Sequence, residues 1–92
     1  MNDSLRLFSG SSHPKLAQAI CDELGVPLGR SRTVRFANDN LFVQIEENVR
    51  EKDVFVLQTA NAPVNDHLME LCMMIDALRH ASARRITAVI PY

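Results

Sequence analysis

Tryptophan is absent from these 92 residues and tyrosine occurs once. That leaves too few aromatic rings for a base-stacking platform along a nucleic-acid strand. Ten basic and eleven acidic residues give a formal net charge of −1. There is thus no basic field of the kind that nucleic acid or an anionic membrane surface requires. Two cysteines are too few for a disulfide framework. Cys21 and Cys72 lie in helical segments among apolar neighbours, so both are expected to be buried free thiols. No apolar run approaches the ~20 residues of a membrane span, and the opening MNDSLRLFSG lacks a signal-peptide core. A soluble protein in a reducing, cytoplasmic setting is expected, with neither nucleic acid nor membrane as partner.

What is present is a hydrophobic content of 47%, enough for one small globular domain. Leu5 to Phe8 reads as a short strand, broken by Ser9-Gly10-Ser11-Ser12. Pro14 suits the first turn of a helix, where its missing N–H costs nothing. Leu16, Ala17, Ile20 and Leu24 follow at helical spacing, with Gly25 as a C-terminal stop. Thr33 to Phe36 and Leu41 to Glu46 read as strands about an Ala37-Asn38-Asp39-Asn40 turn, a hairpin. Asp53 opens the apolar run Val54-Phe55-Val56-Leu57, which suits a strand covered on both faces. Asn65 is expected to cap a second helix. In that helix Val64, Leu68, Leu71, Ile75 and Leu78 form a stripe that Met69, Cys72 and Met73 widen, the pattern of a mostly buried helix. Ile86 to Ile90 is a final apolar strand. Strand–helix alternation with apolar strands indicates an α/β domain with a mainly parallel sheet.

The chemistry is thinly written. Ser9 to Ser12 precedes a helix N-terminus, where free N–H groups favour an anion. Its spacing fits neither phosphate-loop fingerprint, and a capping role for Ser12 is favoured. His67 and Glu70 lie three apart but find no third partner, so a metal site is not favoured. His80 near a helix end complements the negative end of the dipole. Arg30, Arg32 and Arg35 flank the second strand; solvated surface is the default, and oxyanion binding the competing use. Spacing alone favours a core position for Phe36, against an exposed platform beside Asn38 and Asn40. Met69, Met73 and Met74 suit packing or an interface.

Taken in order, several segments resemble the N-terminal part of the ribose-phosphate pyrophosphokinases (phosphoribosyl pyrophosphate synthetases). They are Leu7-Phe8-Ser9-Gly10-Ser11-Ser12-His13-Pro14, Phe36-Ala37-Asn38-Asp39-Asn40, Asn48-Val49-Arg50 and Asp53-Val54-Phe55-Val56-Leu57-Gln58. Pro63 to Leu71, Met74 to Leu78 and Ala81 to Tyr92 complete the match, which covers nearly the whole chain. The resemblance implies a phosphoribosyltransferase-like α/β fold, with residues 1–92 forming an incomplete N-terminal domain. It implies an enzyme that transfers diphosphate from Mg-ATP to ribose 5-phosphate, as a homo-oligomer regulated by phosphate or ADP. By position, Phe36, Asn38 and Asn40 would face the adenine of ATP in a neighbouring subunit's site. Asn48, Arg50 and Ser82 would form a regulatory phosphate site. The family's ATP loop, metal-associated histidine, mobile catalytic loop and ribose-phosphate loop come later than Tyr92. No catalytic residue or Mg2+ ligand is therefore expected in this chain, and these residues alone are expected to be inactive. The alternative is a non-catalytic, synthetase-like module that binds nucleotide or phosphate and regulates assembly.

Overall fold

The apolar run after Asp53 becomes the centre of the molecule because it is paired on both sides. The computed structural model describes residues 4–38 and 40–91. Its elements are β1 (Leu5–Ser9), α1 (Pro14–Leu24), β2 (Ser31–Arg35), β3 (Leu41–Ile45), β4 (Asp53–Leu57), α2 (Val64–His80) and β5 (Arg85–Val89). β4 lies between β1 and β5, parallel to both, with Leu7, Phe55 and Thr87 in one row. β2 and β3 form a separate antiparallel hairpin. The expected α/β class, the parallel sheet and the hairpin are all found.

Alternation along the strands sends side chains to two cores. Phe8, Val54 and Val56 pack with Leu71, Met74 and Leu78 of α2 and with Val43 of the hairpin. Leu7 and Leu57 pack with Ala17 and Cys21 of α1. α1 ends where Gly25 turns left-handed, at φ 70°, and its N–H returns to Asp22 O at 3.3 Å. That is the conformation in which glycine pays no Cβ penalty.

Four expectations need correction. His13, not Ser12, caps α1: its Nδ1 accepts from Leu16 N at 3.2 Å, while the Ser12 side chain is held by Gln58. Pro63 sits at the N-cap of α2 with no side-chain cap, and Asn65 lies inside the helix. α2 is buried on one side only. Glu70, Leu71, Met74 and Leu78 face inward, whereas Val64, Leu68 and Met69 are exposed, because sheet and hairpin together cover a single helical stripe. Cys72 falls on the open side and is exposed; Cys21 is buried as expected.

Candidate functional site

The carboxyl ends of β1 and β4 meet the N-terminal half of α2 around one carboxylate. Glu70 is 3% exposed. Its Oε1 accepts from Ser11 N at 3.1 Å, Ser11 Oγ at 2.7 Å and Gln58 Nε2 at 2.8 Å. Its Oε2 accepts from Thr33 Oγ1 at 2.8 Å. Burial pushes this carboxyl up, but hydrogen bonds from Ser11, Thr33 and Gln58 outweigh burial and hold it below its ordinary value. Gln58 continues the network, accepting from Ser12 N at 3.1 Å and Ser12 Oγ at 2.5 Å and donating to His67 O at 3.0 Å. Gly10 packs against the Gln58 carboxamide so closely that a Cβ would collide with it.

This network answers the question posed by the Ser9–Ser12 loop. The loop does bind an anion, and the anion is the protein's own Glu70. Sequence reasoning weighed Glu70 only as a metal ligand beside His67 and missed this role, because its partners Ser11, Thr33 and Gln58 stand 59, 37 and 12 residues away. One available signal was a lone acid among the apolar positions of a helix.

Phe36 follows β2 at the hairpin turn. It is 53% exposed, which corrects the core position that spacing favoured: its backbone N–H closes the turn onto Asn40 O at 2.8 Å, and the ring is left outside. Asn38 Oδ1 accepts from Asn40 N at 3.3 Å. The turn therefore gathers Phe36, Asn38 and Asn40; Asp39 lies outside the described residues. Beneath the turn is an open groove of about 990 Å³ lined by Arg35, Phe36, Asn40, Phe42, Asp66 and Met69, among others. Arg35 reaches Asp66 across it at 3.4 Å. Arg32 pairs with Glu46 at 3.9 Å and Arg84 with Asp53 at 2.9 Å, so these arginines are drawn to the chain's own carboxylates.

Asn48, Arg50 and Ser82 come together elsewhere, on the two turns that lead into β4 and β5. Asn48 Oδ1 accepts from Arg50 N at 3.0 Å, and Glu51 N donates to Ser82 O at 2.9 Å. Glu51 and Ser82 are both left-handed, at φ 61° and 67°. The two trios thus lie toward opposite ends of the parallel strands.

The family model described as the N-terminal domain of ribose phosphate pyrophosphokinase matches residues 5–92. The chain belongs to this family. Among curated relatives, a ribose-phosphate pyrophosphokinase of Deinococcus radiodurans is 65% identical over 88 residues, which are 96% of this chain and 28% of the relative. The Agrobacterium fabrum protein of the same name is 56% identical over the same shares. Among solved structures, phosphoribosylpyrophosphate synthetase from Mycobacterium smegmatis superposes with a TM-score of 0.93 at 47% identity, covering 98% of this chain and 30% of that one. The chain therefore spans a little over a quarter of the length of these pyrophosphokinases.

A magnesium site does not fit the described residues. Among the described residues no group of three His, Cys, Asp or Glu is placed to hold a metal ion. Glu70 and Asp53 are already taken by internal partners. No helix is long and apolar enough to cross a membrane among those residues.

Proposed function

We propose that this chain supplies the adenine-contacting part of an ATP site in a homo-oligomeric, cytoplasmic ribose-phosphate pyrophosphokinase. The whole protein would transfer diphosphate from Mg-ATP to the anomeric hydroxyl of ribose 5-phosphate. The observation that carries the reading is Phe36: a half-exposed ring at a hairpin turn, flanked by two asparagines. An exposed ring offers adenine a stacking face, and each asparagine carries one acceptor and one donor group for its edge. The reacting groups, the Mg2+ ligands and the ribose 5-phosphate contacts belong to the remaining length of such enzymes. Asn48, Arg50 and Ser82 would take phosphate or the phosphates of ADP as regulators, with Arg50 as the bidentate donor.

The test is a chimaera in which this chain replaces its counterpart in the Deinococcus radiodurans relative. Formation of phosphoribosyl pyrophosphate is expected. Phe36→Ala should raise the KM for ATP about tenfold, in line with the loss of one base–aromatic stack, and leave the KM for ribose 5-phosphate unchanged. A folded chimaera without activity, or an unchanged KM for ATP in Phe36→Ala, would overturn the reading. The purified chain alone should form no product.

A further inference from the structure

The hairpin is not hydrogen-bonded to the parallel sheet as a strand; the two are separate sheets. At its entry, Gly29 N donates to Leu7 O of β1 at 2.7 Å; beyond that point its placement depends on packing against α2 and on side-chain ties. Near its base Glu47 meets Arg6 at 3.2 Å. Near its turn Arg35 meets Asp66 at 3.4 Å, in solvent. Between them Thr33 donates to the buried Glu70 at 2.8 Å. We propose that Glu70 is a positioning residue whose carboxylate clamps the hairpin, and with it Phe36, to the strand-end loops. One oxygen holds Ser11 and Gln58 of the sheet's carboxyl rim, and the other holds Thr33 of β2.

The arrangement does more than satisfy a buried charge. A carboxylate accepts at two oxygens in a fixed plane, so its two sets of partners are held at a set distance and angle. Thr33 is three residues before Phe36, on the strand that leads into the turn. Movement of Thr33 relative to Ser11 would shift the ring relative to the strand ends. Hydrogen bonds to charged groups are the strong ones, and this one is part-buried, whereas the Arg35–Asp66 pair is exposed. The consequence for adenine rests on the reading of Phe36 above; the clamp itself does not.

The test uses the 92-residue chain with its four phenylalanines replaced by 4-fluorophenylalanine. Thr33→Val keeps the shape of the side chain and removes the donor. Amides of β2 and β3 should exchange about tenfold faster, the size expected for a lost hydrogen bond to a charged group, while those of β1 and β4 keep their rates. The fluorine line of Phe36 should move and those of Phe8 and Phe55 should stay. Thr33→Ser should restore both readouts. Uniform acceleration of all amides, or an unmoved Phe36 line, would reduce Glu70 to a stabiliser of the fold and overturn the proposal. Should Thr33→Val not fold, Thr33→Ala carries the same comparison: it removes the same hydroxyl donor and leaves the Glu70 carboxylate with Ser11 and Gln58. A moved Phe36 line with unchanged KM for ATP in the chimaera would leave the clamp standing and remove the adenine role.

Discussion

Arg84 grips Asp53 with two hydrogen bonds, Nε to Oδ1 at 3.0 Å and Nη2 to Oδ2 at 2.9 Å. Asp53 opens β4, and its register partner on β5 is Arg85. The fork therefore clasps the start of the central strand to the segment entering its neighbour. The Arg84 hydrogen bonds hold the Asp53 carboxyl below its ordinary value, outweighing desolvation, with Arg84 and Arg85 charge adding to the effect.

Acid should weaken the fold through two carboxylates. Asp53 and Glu70 both have folded-state pKa values below their ordinary ones. The unfolded chain then binds more protons than the folded one as pH drops. The stabilisation is complete above the ordinary carboxylate range and is lost as pH falls below ~4 toward the depressed values. Urea midpoints should be flat from pH 7 to 5 and fall below that. Glu70→Gln should flatten the acid limb more than Asp53→Asn, because the Asp53–Arg84 pair faces solvent and screening weakens it. Identical acid limbs in wild type and Glu70→Gln would contradict the assignment.

The two thiols should separate cleanly. Burial pushes the Cys21 thiol up, with the nearby Asp22 charge adding to it, and the side chain is sealed under α1. Cys72 lies on the open side of α2. An aromatic disulfide reagent at pH 8 should titrate one thiol in the native chain and two in denaturant, the fast one absent from Cys72→Ser. That substitution should change stability by no more than about 0.5 kcal/mol, as exposed sites do.

Much of this fold is legible in one dimension. β1, β3 and β4 fall within a residue of where alternation and turn residues put them, since period and punctuation are local properties. The final strand is read one residue late, and β2 two residues late at its start. β2 also stops before Phe36 because that residue's N–H turns back to Asn40. Helix caps are less legible. Ser12 has the right chemistry for a cap, but Gln58, 46 residues away, takes its side chain. The inner face of α2 is read only in part: Leu71 and Leu78 of the expected stripe are buried, while Val64 and Leu68 are exposed. A stripe through Val64 and Leu68 is as apolar as one through Leu71, Met74 and Leu78. Only the positions of the sheet and the hairpin together decide which is covered. Glu70 is the extreme case: an acid becomes a core residue because donors from three distant residues converge on it.

Close packing around Phe8 should make Gly29 intolerant of any side chain. A Cβ there would lie 2.7 Å from two carbons of the Phe8 ring, and that ring is fully buried. A rigid ring in a filled core cannot move aside cheaply, so Gly29→Ala should cost about 1–3 kcal/mol. Leu78→Ala removes contacts from the same core and should cost about 2–5 kcal/mol. Chemical denaturation at pH 7 checks both. A neutral Gly29→Ala would mean that the ring has room the structure denies it.

The open side of β5 should drive self-association of the isolated chain. β5 is an outer strand of the parallel sheet, and Val89 and Ile90 are 37% and 49% exposed. Unpaired N–H and C=O groups along an apolar edge form a template for another strand. The segment Ile86 to Ile90 carries no charge that would repel a second copy. Arg84 and Arg85 lie only at its start, and Arg84 is engaged with Asp53. Light scattering should therefore show mass rising with concentration. Val89→Lys places a charge on the exposed edge strand without touching either core, and should shift the chain toward monomer with its circular dichroism unchanged. A wild-type chain that stays monomeric at millimolar concentration would show that this edge is protected, and would remove β5 as an association surface.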